Sequence, residues 1–173
     1  MRHRAGVRAL AWSPDGVDEH ALCSAGADGI RFWGLPGGRH LRKAGGGAGG
    51  WEAPRGRVIN ALAASAEGVL MGGSSDGRIT FFDWESGACF QELTTRPQPG
   101  SLQSEACILA AAFDASGSRL ITCEADKTVK MWKEDARATP ATHPGLADWV
   151  GEDREEEGGG APPRPERHKD SGA

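Results

Sequence analysis

Asp126-Lys127-Thr128-Val129-Lys130-Met131-Trp132 is a turn aspartate followed by a short alternating run that ends on an aromatic residue. Alternation of that length reads as a half-buried strand, and an Asp ahead of it as a turn former. The phrase occurs twice upstream, where Asp28 leads to Trp33 and Asp76 leads to Phe82. Leu22, Leu70 and Leu120 each stand six residues before these aspartates, inside the short runs Ala21-Leu22-Cys23-Ser24-Ala25-Gly26, Val69-Leu70-Met71-Gly72-Gly73-Ser74 and Arg119-Leu120-Ile121-Thr122-Cys123-Glu124. Still earlier, apolar runs begin at Val7, Ile59 and Ile108, and a glycine follows each start by nine residues: Gly16, Gly68 and Gly117. A glycine there fits a tight turn that needs positive φ.

The phrases repeat at about 50 residues, and such a period marks a repeat architecture. A fourth short strand is expected in the first two units, over residues 39–43 and 88–93. Four short antiparallel strands with an aromatic ending the third is the pattern of a β-propeller blade. The expected fold is therefore all-β. Blades span residues 1–43, 57–96 and 107–144, joined by a Gly-rich loop over 44–56 and a long loop over 97–106, with an acidic, Pro-rich, disordered tail over 145–173. After Trp132 no fourth strand is expected, which marks the third unit as a last blade without its outer strand. Three blades do not close a ring, and repeats bury their apolar faces only against neighbours. The chain thus reads as the C-terminal end of a larger propeller.

Composition agrees with short strands and tight turns: 26 Gly, 10 Pro and no Tyr in 173 residues. Residues 1–147 carry 16 Lys or Arg and 16 Asp or Glu, so the net charge of -4 lies in the tail. No broad basic field marks the chain as a nucleic-acid binder, although the first 58 residues lean basic. Cys23, Cys89, Cys107 and Cys123 lack metal-ligand spacing and are expected to be buried, reduced thiols, which suits a cytosolic or nuclear compartment.

These residues resemble the WD40 family. The resemblance implies a buried hydrogen-bonded chain of His, Ser or Thr, turn Asp and Trp in each full blade. His3, Ser24, Asp28 and Trp33 supply every member in the first. Thr122, Asp126 and Trp132 remain in the third, with Ser104 in the His place. The second keeps Asp76, with Gly72, Phe82 and Arg55 at the other places, and is expected to rest more on apolar packing.

The stretch Gln98-Pro99-Gly100-Ser101-Leu102-Gln103-Ser104-Glu105, with Ile59-Asn60-Ala61-Leu62, Asp83-Trp84, Phe90-Gln91 and Thr142-His143-Pro144, is similar to the pleiotropic regulator family of spliceosomal WD40 proteins. That resemblance covers about residues 5–144. It implies three blades of a seven-bladed propeller that serves as a nuclear, non-catalytic scaffold of the nineteen complex in pre-mRNA splicing. The implied partners are spliceosomal proteins, the remaining propeller blades, and RNA only indirectly or in a minor way; no membrane, cofactor or small-molecule substrate is implied. Residues 98–105 are the candidate interaction loop. The alternative within binding modules is a substrate receptor of a cullin-type ubiquitin ligase or another generic WD40 adaptor. Trp33-Gly34-Leu35-Pro36, Phe82-Asp83-Trp84-Glu85 and Trp132-Lys133-Glu134-Asp135 lack the arginine that such receptors often carry.

Three enzyme-like patterns fall away. Gly73-Ser74-Ser75-Asp76-Gly77 matches a nucleophile elbow, but a strand rather than a helix follows it. The glycines of residues 45–50 lack the Gly-Lys-Ser/Thr ending of a phosphate loop. His3, His20, His40, His143 and His168 have no partner at zinc spacing. No catalytic, cofactor-binding or metal residue is assigned. Trp51 and Trp149 lie outside the expected strands, Trp51 as a docking anchor or a cover for a blade face and Trp149 as part of a short docking motif at the start of the tail.

Overall fold

A computed structural model describes residues 2–14, 21–45 and 57–134. Within them eleven strands form three antiparallel sheets. The first sheet holds β1 (Val7–Trp12), β2 (Ala21–Gly26), β3 (Gly29–Gly34) and β4 (Arg39–Lys43) in chain order. The second repeats that order with β5 (Ile59–Ala64), β6 (Val69–Ser74), β7 (Arg78–Asp83) and β8 (Cys89–Thr94). The third contains β9 (Ile108–Phe113), β10 (Arg119–Glu124) and β11 (Val129–Lys133). The missing outer strand of the last blade, most of the Gly-rich loop, Trp51, Arg55, Trp149 and the acidic tail all concern residues outside those described.

Register repeats along with strand order. Leu22 faces Trp33, Leu70 faces Phe82 and Leu120 faces Trp132, each across the second and third strands of its sheet. All three sheets carry a register shift near the start of the first strand, between Val7 and Ala9, between Ile59 and Ala61, and between Ile108 and Ala110. The turn after the first strand holds Gly68 at φ 80° and Gly117 at φ 71°.

Two apolar cores lie between the sheets. The first joins Cys23, Ala25, Ile30 and Phe32 to Ile59, Leu62, Leu70, Phe82 and Trp84. Phe32 meets Trp84 edge-on, with ring centroids 5.2 Å apart at 85°. The Arg42 guanidinium lies 4.3 Å from the Phe32 ring centroid and donates to the Trp84 carbonyl. The second core joins Ala61, Ala63, Met71 and Ile79 to Ile108 and Leu120, with Phe113 and Trp132 packed against it. Full burial of an Ile, Leu or Phe side chain is worth about 1.5–3 kcal/mol, so these seams hold the sheets side by side.

Each sheet therefore has a leading face and a trailing face. Leu62 on the leading face of the second sheet is 8% exposed, whereas Leu10 at the same register in the first sheet is 62% exposed. Ile79 on the trailing face of the second sheet is fully buried, whereas Val129 at the same register in the third is 70% exposed. Trp12 and Met131 are exposed for the same reason. The apolar pattern is uniform and its burial depends on a neighbour.

That dependence corrects the cysteine expectation. Cys23 is buried, Cys89 and Cys107 are half-buried, and Cys123 is exposed. Cys123 pairs with Val129 on the open trailing face, the place that Ala25 fills, fully buried, in the first sheet. Burial pushes the Cys23 thiol far above its ordinary range, the Arg42 charge opposing it only in part.

Candidate interaction surface

In the first sheet, His3, Ser24, Asp28 and Trp33 are brought together. Trp33 Nε1 donates to Ser24 Oγ at 2.6 Å, His3 Nε2 lies 2.7 Å from the same oxygen, and His3 Nδ1 lies 2.6 Å from Asp28 Oδ1. Indole can only donate and carboxylate only accept, so with a neutral imidazole the chain runs one way, from Trp33 through Ser24 and His3 to Asp28. Arg4 N and Arg31 Nη2 donate to the other Asp28 oxygen, each at 2.8 Å. Burial opposes ionisation of Asp28, but the Arg4 amide, His3 and the Arg31 charge outweigh it and hold the carboxyl below its ordinary range. Ser24 is buried and committed to these bonds, so the group joins strands and offers no nucleophile.

The second sheet solves the same problem differently. Arg57, buried ahead of β5, donates from Nε to Asp76 at 3.0 Å and from Nη1 to Glu92 at 3.1 Å. Ser74 also donates to Asp76, and Arg78 to Glu92. The middle sheet thus carries its own polar network beside the apolar packing expected there, with Leu70, Met71, Ile79 and Phe82 fully buried. Arginine reaches Asp76 from two residues nearer the strand than Arg55, because its side chain is long enough to do so.

In the third sheet Ser104 does not take the His place; it is exposed. Trp132 Nε1 donates to Thr122 Oγ1 at 3.0 Å, and Thr122 donates to Glu124 at 3.2 Å. The buried Glu124 carboxylate also accepts from Thr95 at 2.9 Å and from Lys130 Nζ at 2.5 Å. A buried carboxylate is costly unless paired and fully hydrogen-bonded, and three donors meet that need. Counting back from Ile108 points to Ser104 only if the chain arrives directly. Instead it leaves the sheet at Gln98, whose amide N donates to Asp126 Oδ2 at 2.8 Å.

That departure builds the loop. Gln98 Nε2 donates to the Asp126 carbonyl at 2.6 Å, and Thr128 Oγ1 donates to Asp126 Oδ1 at 2.5 Å. The Thr128 hydroxyl, with the amides of Gln98 and Thr128 and the Lys130 charge, holds the Asp126 carboxyl below its ordinary range against its burial. Ser101 N bonds back to the Gln98 carbonyl, Gly100 turns at φ 91°, and a short 3-10 helix over Gln103–Ala106 returns the chain to β9. Glu105 accepts from Leu102 N at 3.0 Å. Pro99, Gly100, Gln103 and Ser104 are exposed, and Leu102 projects with 69% of its surface open. Residues 94–101 and Gln103 line a depression of about 650 Å³. A fixed loop with one apolar projection beside a hollow is suited to binding a protein partner, because ordering costs are already met.

Comparison with known proteins agrees with the fold. The WD domain, G-beta repeat family matches residues 96–133. The WD40 repeats of RRP9 superimpose with a TM-score of 0.60 at 20% identity, covering 77% of this chain and 37% of that one. This chain is a run of WD40 β-propeller blades. Protein pleiotropic regulator PRL2 of Arabidopsis thaliana is 46% identical over 82% of this chain and 28% of its own length. Pre-mRNA-splicing factor PRP46 of Eremothecium gossypii is 43% identical over 74% of this chain and 28% of its own length. The chain is similar in sequence to the pleiotropic regulators and PRP46 splicing factors, and it spans about a quarter of the length of these relatives.

Proposed function

We propose that the chain is a non-catalytic docking segment of a nuclear pre-mRNA-splicing scaffold, acting within the nineteen complex with further blades seated on its open faces. The observation that carries the reading is the loop of residues 97–105, clamped to the third sheet through Gln98 and Asp126 and presenting Leu102. The names of its relatives, pleiotropic regulator and pre-mRNA-splicing factor, supply the process. They favour splicing over the ubiquitin-ligase receptor, as does the absence of arginine after Trp33, Phe82 and Trp132. Central apolar anchors carry most of the energy of a protein interface, so Leu102 is assigned as the anchor.

The test is affinity purification of the tagged chain from nuclear extract, followed by mass spectrometry. Recovery of nineteen-complex proteins, lost on Leu102→Asp, supports the proposal. Recovery of a cullin adaptor alone would overturn it.

A further inference from the structure

The three sheets differ in how they balance charge. In the second, Arg57 and Arg78 are matched by Asp76 and Glu92; in the third, Lys130 is matched by Glu124. The described residues of the first unit, 2–14 and 21–45, hold Arg2, Arg4, Arg8, Arg31, Arg39, Arg42 and Lys43 against a single acid, Asp28.

Arg2, His3, Arg4 and Arg31 line a surface depression of about 460 Å³. Arg2 and Arg4 are exposed. Arg31 spends Nη2 on Asp28 and Nη1 on the Arg2 carbonyl, while its buried Nε has no hydrogen-bond partner among the described residues. Lys43 lies opposite Arg31 on β4 and extends the positive charge along the sheet.

We propose that this basic hollow binds the phosphate backbone of single-stranded RNA. Guanidinium groups pair with phosphate through two parallel N–H bonds, and several cations in a row suit a repeated anion. The lining offers no apolar side chain to grip the residues flanking a single phosphoserine, which favours a nucleic-acid backbone over a phosphopeptide. Contact is with phosphates, so binding is independent of base sequence. The site lies on a different blade from Leu102 and does not rest on the scaffold reading.

The experiment is fluorescence anisotropy of labelled oligouridylate titrated with the 173-residue chain at several NaCl concentrations. Three neutralised phosphates give a slope of about -2 in log affinity against log salt, at roughly 0.7 per phosphate on a single strand. Arg2→Glu with Arg4→Glu should weaken binding at least about tenfold at low salt. Arg31 is left intact because it holds Asp28. Arg119→Glu with Lys133→Glu, an exposed pair on the third sheet, should leave affinity close to wild type, and an unchanged urea midpoint checks folding of both variants. No binding at low salt, equal loss in both double variants, or tighter binding of a phosphoserine peptide than of oligouridylate would each overturn the proposal.

Discussion

Gln98 and Asp126 are joined twice, by the Gln98 amide to the Asp126 carboxylate at 2.8 Å and by the Gln98 side chain to the Asp126 carbonyl at 2.6 Å. The turn aspartate that orders the third sheet is thereby also the foot of the loop. Gln98→Ala removes one bond and keeps the other. We expect a loss of about 1 kcal/mol in global stability. Hydrogen exchange should quicken at the amides of residues 98–105 well before those of β10 and β11.

The tetrad of the first sheet predicts an asymmetric response. Ser24→Ala leaves the Trp33 indole N–H and a His3 nitrogen without partners inside the sheet. The cost should be about 2 kcal/mol, within the penalty for an unmet buried polar group. Urea unfolding followed by tryptophan fluorescence measures it. Ser24→Thr, which keeps the hydroxyl as Thr122 does in the third sheet, should recover most of the loss.

Lys130→Met tests the buried carboxylate. Glu124 would keep its threonine bonds and lose its counter-charge. Breaking such a pair from one side costs about 3 kcal/mol. Lys130→Met combined with Glu124→Gln should be milder than Lys130→Met alone; a double variant as unstable as the single would refute the ion-pair account.

One turn is built on different residues in the three sheets. Gly29 at φ 95°, Gly77 at φ 83° and Lys127 at φ 70° each follow the turn aspartate. A side chain strains this left-handed conformation by about 1–2 kcal/mol. Lys127→Gly should therefore stabilise the chain by up to about 1 kcal/mol, after the entropy cost of glycine. Gly77→Ala should destabilise it, because the added carbon would sit 2.8 Å from Ala106 Cβ and 2.9 Å from its carbonyl oxygen. Denaturation midpoints of the two variants should move in opposite directions.

Acid should loosen all three sheets over one range. Asp28, Asp76 and Asp126 all have carboxyls held below the ordinary value near 3.8. A depressed folded pKa contributes stability that is complete above the unfolded value and is lost as pH falls through the folded one. The urea midpoint, as far as these groups set it, should be level from pH 7 to about 5 and fall below about 4. Asp28→Asn should flatten part of that fall.

Local chemistry made much of this legible in the sequence. Turn aspartates, alternating runs and aromatic strand ends are short-range signals, and His3, Ser24, Asp28 and Trp33 make the contacts that the WD40 resemblance implies. Arg57 escaped because its reach, not its register, brings it to Asp76. Glu124 and Lys130 drew no assignment from the sequence, since nothing nearby in it reveals Thr95 closing over them. Ser104 was misplaced because counting back from β9 ignores a loop that leaves the sheet six residues earlier. Cys123 was misread because its exposure depends on a neighbouring sheet and not on its own run.

The open faces at Leu10 and Trp12, and at Val129 and Met131, have a geometric consequence. One is a leading face and the other a trailing face, so the array has a polarity, like a tile with a tongue on one edge and a groove on the other. A two-fold pair that matched trailing face to trailing face would leave both leading faces wet. Only head-to-tail addition satisfies every edge, and such contacts either close into a ring or continue as an open row. A partner that hides both edges must present the opposite edges at the spacing of the gap, which selects for more blades of the same hand and pitch.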